Sequence, residues 1–520
     1  MLENTWRIKW EPVKRWLILS ACFTFFWGFF AHGYAIANGL INHDALAEFN
    51  GAVFGNVLKV GSGRFLVPLY QKLFHMNLAL PWMIGLLSLL WLSISVFLTV
   101  EIFDVRSRMT AFMIAGIYTV NLAVTATMGS YLHDLDADMF GVMAAVGAVF
   151  CWRKLSATHG ILLGGILTAV PLAIYQSNFS VVIELVLIVS ILDLMNNVAF
   201  TQVMKKGLQA IGMTLLGGLL YCALLPAVVS ITGIPLRTGD YNTLDNIAKL
   251  SLSDFLCNLK PAYRSWLHYL HFELSPFPCK LFNGLLGLLS FAAGALWILD
   301  RKASVRSKVL CAILVCLLPL GATLAHVVLG ETFHELMTYA IWLVYLLPLL
   351  LGEWLVKRLR VRCGKVSSQF PRFISVLMIF VYLYGNVQMS NTLYLKKELE
   401  ADAFQSLMTE VVYDIDNTED YVPGQTKVAF IGVSDQICPL PGTEAYGWYI
   451  TGAANPGAII FNERIYYEAY VNYILLRPIV MENYEIWSSL KKDSRVAIMP
   501  TYPEKGSIAF LDGTLVVHMG

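Results

Sequence analysis

The stretch PWMIGLLSLLWLSISVFLTVEIF, residues 81–103, decides the fold class. From Pro81 to Val100 it carries no ionisable side chain. As a helix it reaches about 30 Å, the thickness of a bilayer's hydrocarbon core. Runs of the same kind recur at 16–37, 109–128, 138–152, 160–175, 179–196, 207–231, 281–299, 309–328, 337–356 and 373–390, about 11 spans in all. The fourth to sixth are short or closely spaced. Composition agrees: of 520 residues 57% are hydrophobic and only 14% charged, where a soluble domain carries about a quarter. The expected fold is an all-α polytopic membrane region over residues 1–390, followed by a small α/β domain over 391–520. A net charge of +1 without a basic tract gives no reason to invoke nucleic acid.

Basic residues set the expected orientation. One set of connecting segments holds 20 Lys/Arg, including Arg7, Lys14, Arg153, Lys154, Lys357 and Arg372. The opposite set is longer in total but holds only eight: Lys59, Arg64, Lys72, Arg237, Lys249, Lys260, Arg264 and Lys280. The positive-inside rule then puts the N-terminus in the cytoplasm and the C-terminus outside. The first span starts basic and ends in Ala35-Ile36-Ala37, like a secretory signal, but its long aromatic core favours an uncleaved span.

Three outer segments are substantial. Residues 38–80 and the stretch 247–270 mix apolar and charged residues in the manner of interfacial amphipathic helices. The tail opens with an amphipathic helix over 395–413. Strand-like runs follow at 427–433, 495–499, 508–511 and 514–517, the last two flanking Asp512-Gly513, a hairpin turn. The nine cysteines show no Cys-x-x-Cys or zinc spacing. Cys257 and Cys279 share one outer segment, and whether they bridge depends on geometry that sequence does not supply.

In so apolar a chain, polar residues at span ends are the places for chemistry. Asn42-His43-Asp44 follows the first span. Asp44 reads either as a helix cap or as a general base at the outer face; His43 either orients it or marks a polar boundary. Arg64, after Gly61-Ser62-Gly63, offers a planar fork of donors to a phosphate, the glycines suggesting a flexible approach. Lys72, two turns on, could share that work. His133, Asp134, Asp136 and Asp138 form what reads as the second outer turn. Alternating carboxylates can bind a divalent cation, but without a glycine-containing calcium loop a role in holding sugar hydroxyls is favoured. Gln176 in the third outer turn could hydrogen-bond a sugar, and His334 and Glu335 border the fifth.

These motifs, with Gly63-Arg64-Phe65-Leu66, Pro81-Trp82 and Tyr175-Gln176, resemble the Gtr-type glucosyltransferases of bacterial membranes. That family modifies O-antigen, and more broadly the chain is similar to GT-C glycosyltransferases. The resemblance covers the chain up to about residue 390. It implies a GT-C-like helical core in the bacterial cytoplasmic membrane, with an outward-facing site and a periplasmic tail. It implies a polyprenyl-phosphate sugar donor, with undecaprenyl-phosphate glucose expected, and a glycan acceptor such as O-antigen of lipopolysaccharide. It puts Asp44 in the place of the catalytic acid residue, with Asp134 and Asp136 assisting, and requires no cofactor; a divalent metal is not favoured. Members with an acidic pair in the first loop differ from this chain's His43-Asp44. Two rival classes are a polysaccharide or lipid-linked sugar flippase and a non-catalytic envelope scaffold, the latter accounting for the outer tail but not for the loop residues. A transporter more often carries charges deep inside its spans; here ionisable residues concentrate in the outer turns, with Glu184 and Asp193 in the sixth span as exceptions.

Overall fold

The computed structural model describes residues 10–40, 46, 52–76, 79–238, 244, 250–271, 279–300, 303–330, 333–363, 367–450, 460 and 462–520. Residues 42–44, with His43 and Asp44, lie outside them. In chain order the helices are α1 Trp10–Asn38, α2 Ala52–Gly61, α3 Leu66–His75, α4 Pro81–Ile102, α5 Arg108–Thr119, α6 Leu122–Ser130, α7 Leu132–Lys154 and α8 Ala157–Ile174. They continue as α9 Phe179–Met195, α10 Phe200–Thr232, α11 Leu252–Leu270, α12 Cys279–Ile298, α13 Val305–Ala322, α14 Leu324–Leu329, α15 Tyr339–Arg360 and α16 Phe370–Asp416. Among the described residues, ten helices are long and apolar enough to cross a membrane, or 11 if the bent pair α5–α6 is one span. This is the architecture of a multi-pass membrane protein, and it agrees closely with the spans read from hydropathy.

The 40° bend between α5 and α6 has a local cause. Asn121 interrupts the helix and supplies both sets of missing partners. Its Oδ1 accepts from the Val124 amide at 3.1 Å, and its Nδ2 donates to the carbonyls of Ile117 and Tyr118 at 3.1 Å. A side-chain amide can serve both orphaned helix ends in this way. His32 of α1 packs against the same break, with Nε2 2.9 Å from the Thr119 carbonyl and Nδ1 2.7 Å from the Tyr394 hydroxyl of α16. Polar groups in this core are therefore tied to one another, as burial requires.

Helices differ sharply in position. Of its most apolar window α15 buries 83%, α9 72% and α7 67%, whereas α10 buries 11%. So α7, α9 and α15 form the centre and α10 lies at the rim. By alternation of the spans, with α5–α6 taken as one, helices α2 and α3, the start of α7, the α8–α9 turn and the described residues before α15 all lie at the end that carries the tail. That end is called the tail end below.

Three expectations need correction. The acidic run 134–138 is not a turn, because α7 begins at Leu132 and takes the carboxylates into its first turns. The segment 52–75 forms helices as expected, but α3 buries Val67, Tyr70, Gln71 and His75 against the bundle. Residues 495–499 are not a strand: Asp493 caps a short helix, Ser494–Ala497, through its side chain. Cys257 carries a free, exposed thiol.

The tail holds a four-stranded sheet, ordered β2-β1-β4-β3, built from β1 Lys427–Ile431, β2 Val480–Met481, β3 Ile508–Leu511 and β4 Thr514–His518. β1 pairs parallel with β2 and β4, and β3 and β4 form an antiparallel hairpin. Both turn residues have positive φ, 50° at Asp512 and 84° at Gly513, as a tight hairpin turn needs. Strand alternation gives the sheet two buried faces. Val428, Phe430, Leu515 and Val517 pack on α16, and Ala429, Ile431 and Val516 pack on Trp487, Leu490 and Val496. The expected junction at 390/391 falls inside α16, which runs unbroken for 47 residues from the bundle into the tail's core. Leu46, from the segment after α1, is fully buried in that core beside Phe404 and Met408. Tyr446 and Ile450 of the tail join the core of the bundle.

Candidate active site

At the tail end, α2 and α3 are joined by Gly61-Ser62-Gly63-Arg64. The amides of Ser62, Gly63 and Arg64 return to the carbonyls of Leu58, Val60 and Lys59 at 3.0, 2.9 and 2.8 Å, closing the end of α2. Gly63 sits at φ +77°, and a Cβ there would lie 2.4 Å from the Tyr221 hydroxyl. Three neighbours clamp the turn. Gln176 Nε2 donates to the Ser62 carbonyl at 3.0 Å, Tyr221 donates to the Gly63 carbonyl at 3.1 Å, and the Arg237 amide donates to the Gly61 carbonyl at 2.8 Å. The glycines therefore supply a left-handed conformation and a close approach, not mobility. Gln176, expected to meet a sugar, here holds the turn that presents Arg64.

Arg64 lies over the Tyr175 ring, with its Cζ 4.5 Å from the ring centre. Its Nε is buried and has no hydrogen-bond partner among the described residues. The guanidinium is within electrostatic reach of Asp134 and Asp138, and Asp138 and Glu335 in turn reach the Tyr175 phenol. Burial is the largest cause pushing the Tyr175 hydroxyl above its usual value, so it stays protonated.

The carboxylates of α7 are divided between two sets of partners. Asp134 pairs with Lys59 through one oxygen and accepts from Gln71 Nε2 at 2.8 Å through the other. Gln71 also donates to the His133 carbonyl at 3.0 Å, and His133 Nε2 lies 3.6 Å from Asp134. Asp136 accepts from the Tyr70 hydroxyl at 3.1 Å and faces His75 Nε2 at 3.6 Å. The Ala137 amide donates to Asp136 Oδ1 at 3.0 Å. Trp91 donates to the Tyr70 oxygen at 2.7 Å. Burial and the charge of Asp136 push the Tyr70 phenol well above its usual range, so it remains a donor. Asp136 is fully buried and Asp134 nearly so, which is tolerable only because each oxygen is compensated. A helix turns about 100° per residue, so Asp134 and Asp136 meet different neighbours. Asp138 lies one turn below Asp134 on its face and is half-buried; its backbone carbonyl accepts from Asn178 at 3.2 Å. No group of three or more His, Cys, Asp or Glu among the described residues has the arrangement to hold a metal ion.

The structure thus brings together Arg64, His133, Asp134, Asp136 and Gln176. Lys72 stands apart, exposed on the outer side of α3. Sequence reading missed Lys59, Tyr70, Gln71, His75 and Trp91. Their signal was the i, i+3, i+4 and i+8 spacing of Val67, Tyr70, Gln71 and His75, which puts three polar side chains on the face an apolar stripe would occupy.

The helical bundle thus holds buried, compensated acids and an arginine at one end. The glucosyl transferase GtrII family model matches residues 33–384, and the chain belongs to that family. It is therefore a glucosyltransferase, with a sugar donor and a glycan acceptor. The match includes the 39–80 segment, the start of α7 and the segment before α15, and ends before the tail domain. No curated protein and no solved structure matches the chain.

Proposed function

We propose that this glucosyltransferase is of GT-C type and takes glucose from undecaprenyl-phosphate glucose at the outer face of the bacterial cytoplasmic membrane. The acceptor is an envelope glycan such as O-antigen of lipopolysaccharide. The N-terminus is cytoplasmic and the tail periplasmic. The observation that carries the reading is Arg64, a fixed guanidinium with a buried, unengaged Nε, set beside acids at the tail end of the bundle. Nucleotide sugars do not cross the membrane, so a donor used at that face arrives in the lipid phase. The acceptor hydroxyl oxygen attacks the anomeric carbon while the bond from that carbon to the phosphate oxygen breaks. The hydroxyl proton passes to the Asp44 carboxylate. The departing polyprenyl phosphate takes the bonding pair, and Arg64 stabilises its charge. Asp134 and Asp136, held by their partners, shape the pocket for sugar hydroxyls, with His133 beside Asp134; His43, next to Asp44 in sequence, contributes to the same substrate site. Neither a metal nor an organic cofactor is invoked.

Asp44→Asn keeps size and hydrogen bonding but accepts no proton at neutral pH. Turnover of polyprenyl-phosphate glucose should fall about 100- to 10,000-fold with donor affinity unchanged. A stable variant that keeps more than about a tenth of turnover rules Asp44 out as the base. Arg64→Lys should lose much of the activity, because an ammonium cannot reproduce the planar fork.

A further inference from the structure

The segment between α13 and α15 brings a second donor to the Arg64 site. Phe333 and Met337, on either side of His334, pack in one cluster with Tyr175, Val67 and Tyr70. Tyr175 is the ring on which Arg64 lies. The Nδ1 atom of His334 is buried and, like Arg64 Nε, has no hydrogen-bond partner among the described residues. Buried donors are almost always satisfied, and leaving one bare costs about 1–3 kcal/mol. The His334 imidazole is within electrostatic reach of Arg64, and two such unpartnered nitrogens from separate segments, bordering one cluster, point to an acceptor held between them.

We infer that His334 is a binding residue for the phosphate of the lipid-linked donor, donating through Nδ1 to the anion that Arg64 grips. This rests on the reading of Arg64 as the donor-phosphate residue and adds the second side of the seat. Burial holds the His334 imidazole below the usual histidine range, Glu335 pulling the other way and Arg64 adding to the lowering. The ring is therefore neutral at pH 7. Arg64 supplies the charge and His334 supplies direction. A neutral donor also avoids a second buried cation beside Arg64 and leaves the product phosphate free to depart.

The test is equilibrium binding of a short-chain polyprenyl phosphate to the full-length protein in phosphatidylcholine nanodiscs. His334→Ala should weaken binding about tenfold, the worth of one hydrogen bond to a charged group. Asn carries a donor near the Nδ1 position and Gln one near Nε2. His334→Asn should therefore stay within about threefold of the parent, while His334→Gln behaves like Ala. Equal affinities for Asn and Gln variants overturn the proposal even if the Ala variant does not fold. Parent-like binding by His334→Ala, with binding lost in Arg64→Ala, removes His334 and leaves the donor-phosphate reading standing. Parent-like binding by both removes that reading as well. Phosphatidylglycerol in the discs should not displace the probe; equal competition would make the seat one for any anionic headgroup and reject the donor assignment.

Discussion

At its first turns α7 buries Asp134 and Asp136 among Lys59, Gln71, Tyr70 and His75, whereas near its last turn Arg153 holds Asp193 with both side chains partly open. The exposures are 9% and 9% for Lys59 and Asp134, against 27% and 13% for Arg153 and Asp193. Both ends suit the helix dipole, acids first and bases last. Only the first is enclosed. The far end lines a cavity of about 530 Å³ with Arg106, Lys357 and Arg372, where charges mix with solvent. An enclosed ion pair is seldom the cheapest way to stabilise a fold. Its retention at the tail end fits a site whose carboxylates need fixed positions; the open pair at the other end needs only to anchor a helix terminus.

That contrast can be broken by mutation. Lys59→Met leaves Asp134 buried with half its compensation, and the expected loss is about 3–5 kcal/mol, read as thermal unfolding in detergent. Adding Asp134→Leu should return most of that stability but none of the glucosyl transfer. A next, smaller effect is expected at the second carboxylate. Tyr70→Phe strips Asp136 of a donor and Trp91 of its acceptor, at about 1–3 kcal/mol. The smallest belongs to the far end: Arg153→Met should change stability by no more than about 1 kcal/mol and leave transfer intact. Should Lys59→Met and Arg153→Met prove equally mild, the enclosure of the first pair has no energetic meaning and the comparison fails.

Hydropathy made the spans legible because each crosses on its own composition. The Asp512-Gly513 hairpin was legible because its turn chemistry is local. The site was legible only at one remove. Asp134 and Asp136 look like a loop, since an acid inside a span is improbable until its partners are known. Those partners lie 61–75 residues earlier in the chain, on α2 and α3, where no periodicity announces a pairing with α7. Lys72 and Gln71 show the same limit. The charged residue faces out and its neutral neighbour takes the buried place, because only α7 determines which face of α3 is covered. Residues 495–499 have strand-like composition, but the Asp493 cap starts a short helix, Ser494–Ala497, that takes up the first three of them.

The uninterrupted α16 gives the tail a fixed heading. Its 47 residues span about 70 Å, while a bilayer's hydrocarbon core is about 30 Å. The remainder acts as a torsion shaft between bundle and sheet. One residue inserted after Ser390 would swing everything beyond it by about 100° and raise it by about 1.5 Å. Leu46 and the socket at Phe404 and Met408 would then no longer face each other. Seven inserted residues would bring the bearing back to within about 20° while lifting the tail by about 10 Å. Phase and height along this neck are thus separate variables, and the Leu46 contact is sensitive to both.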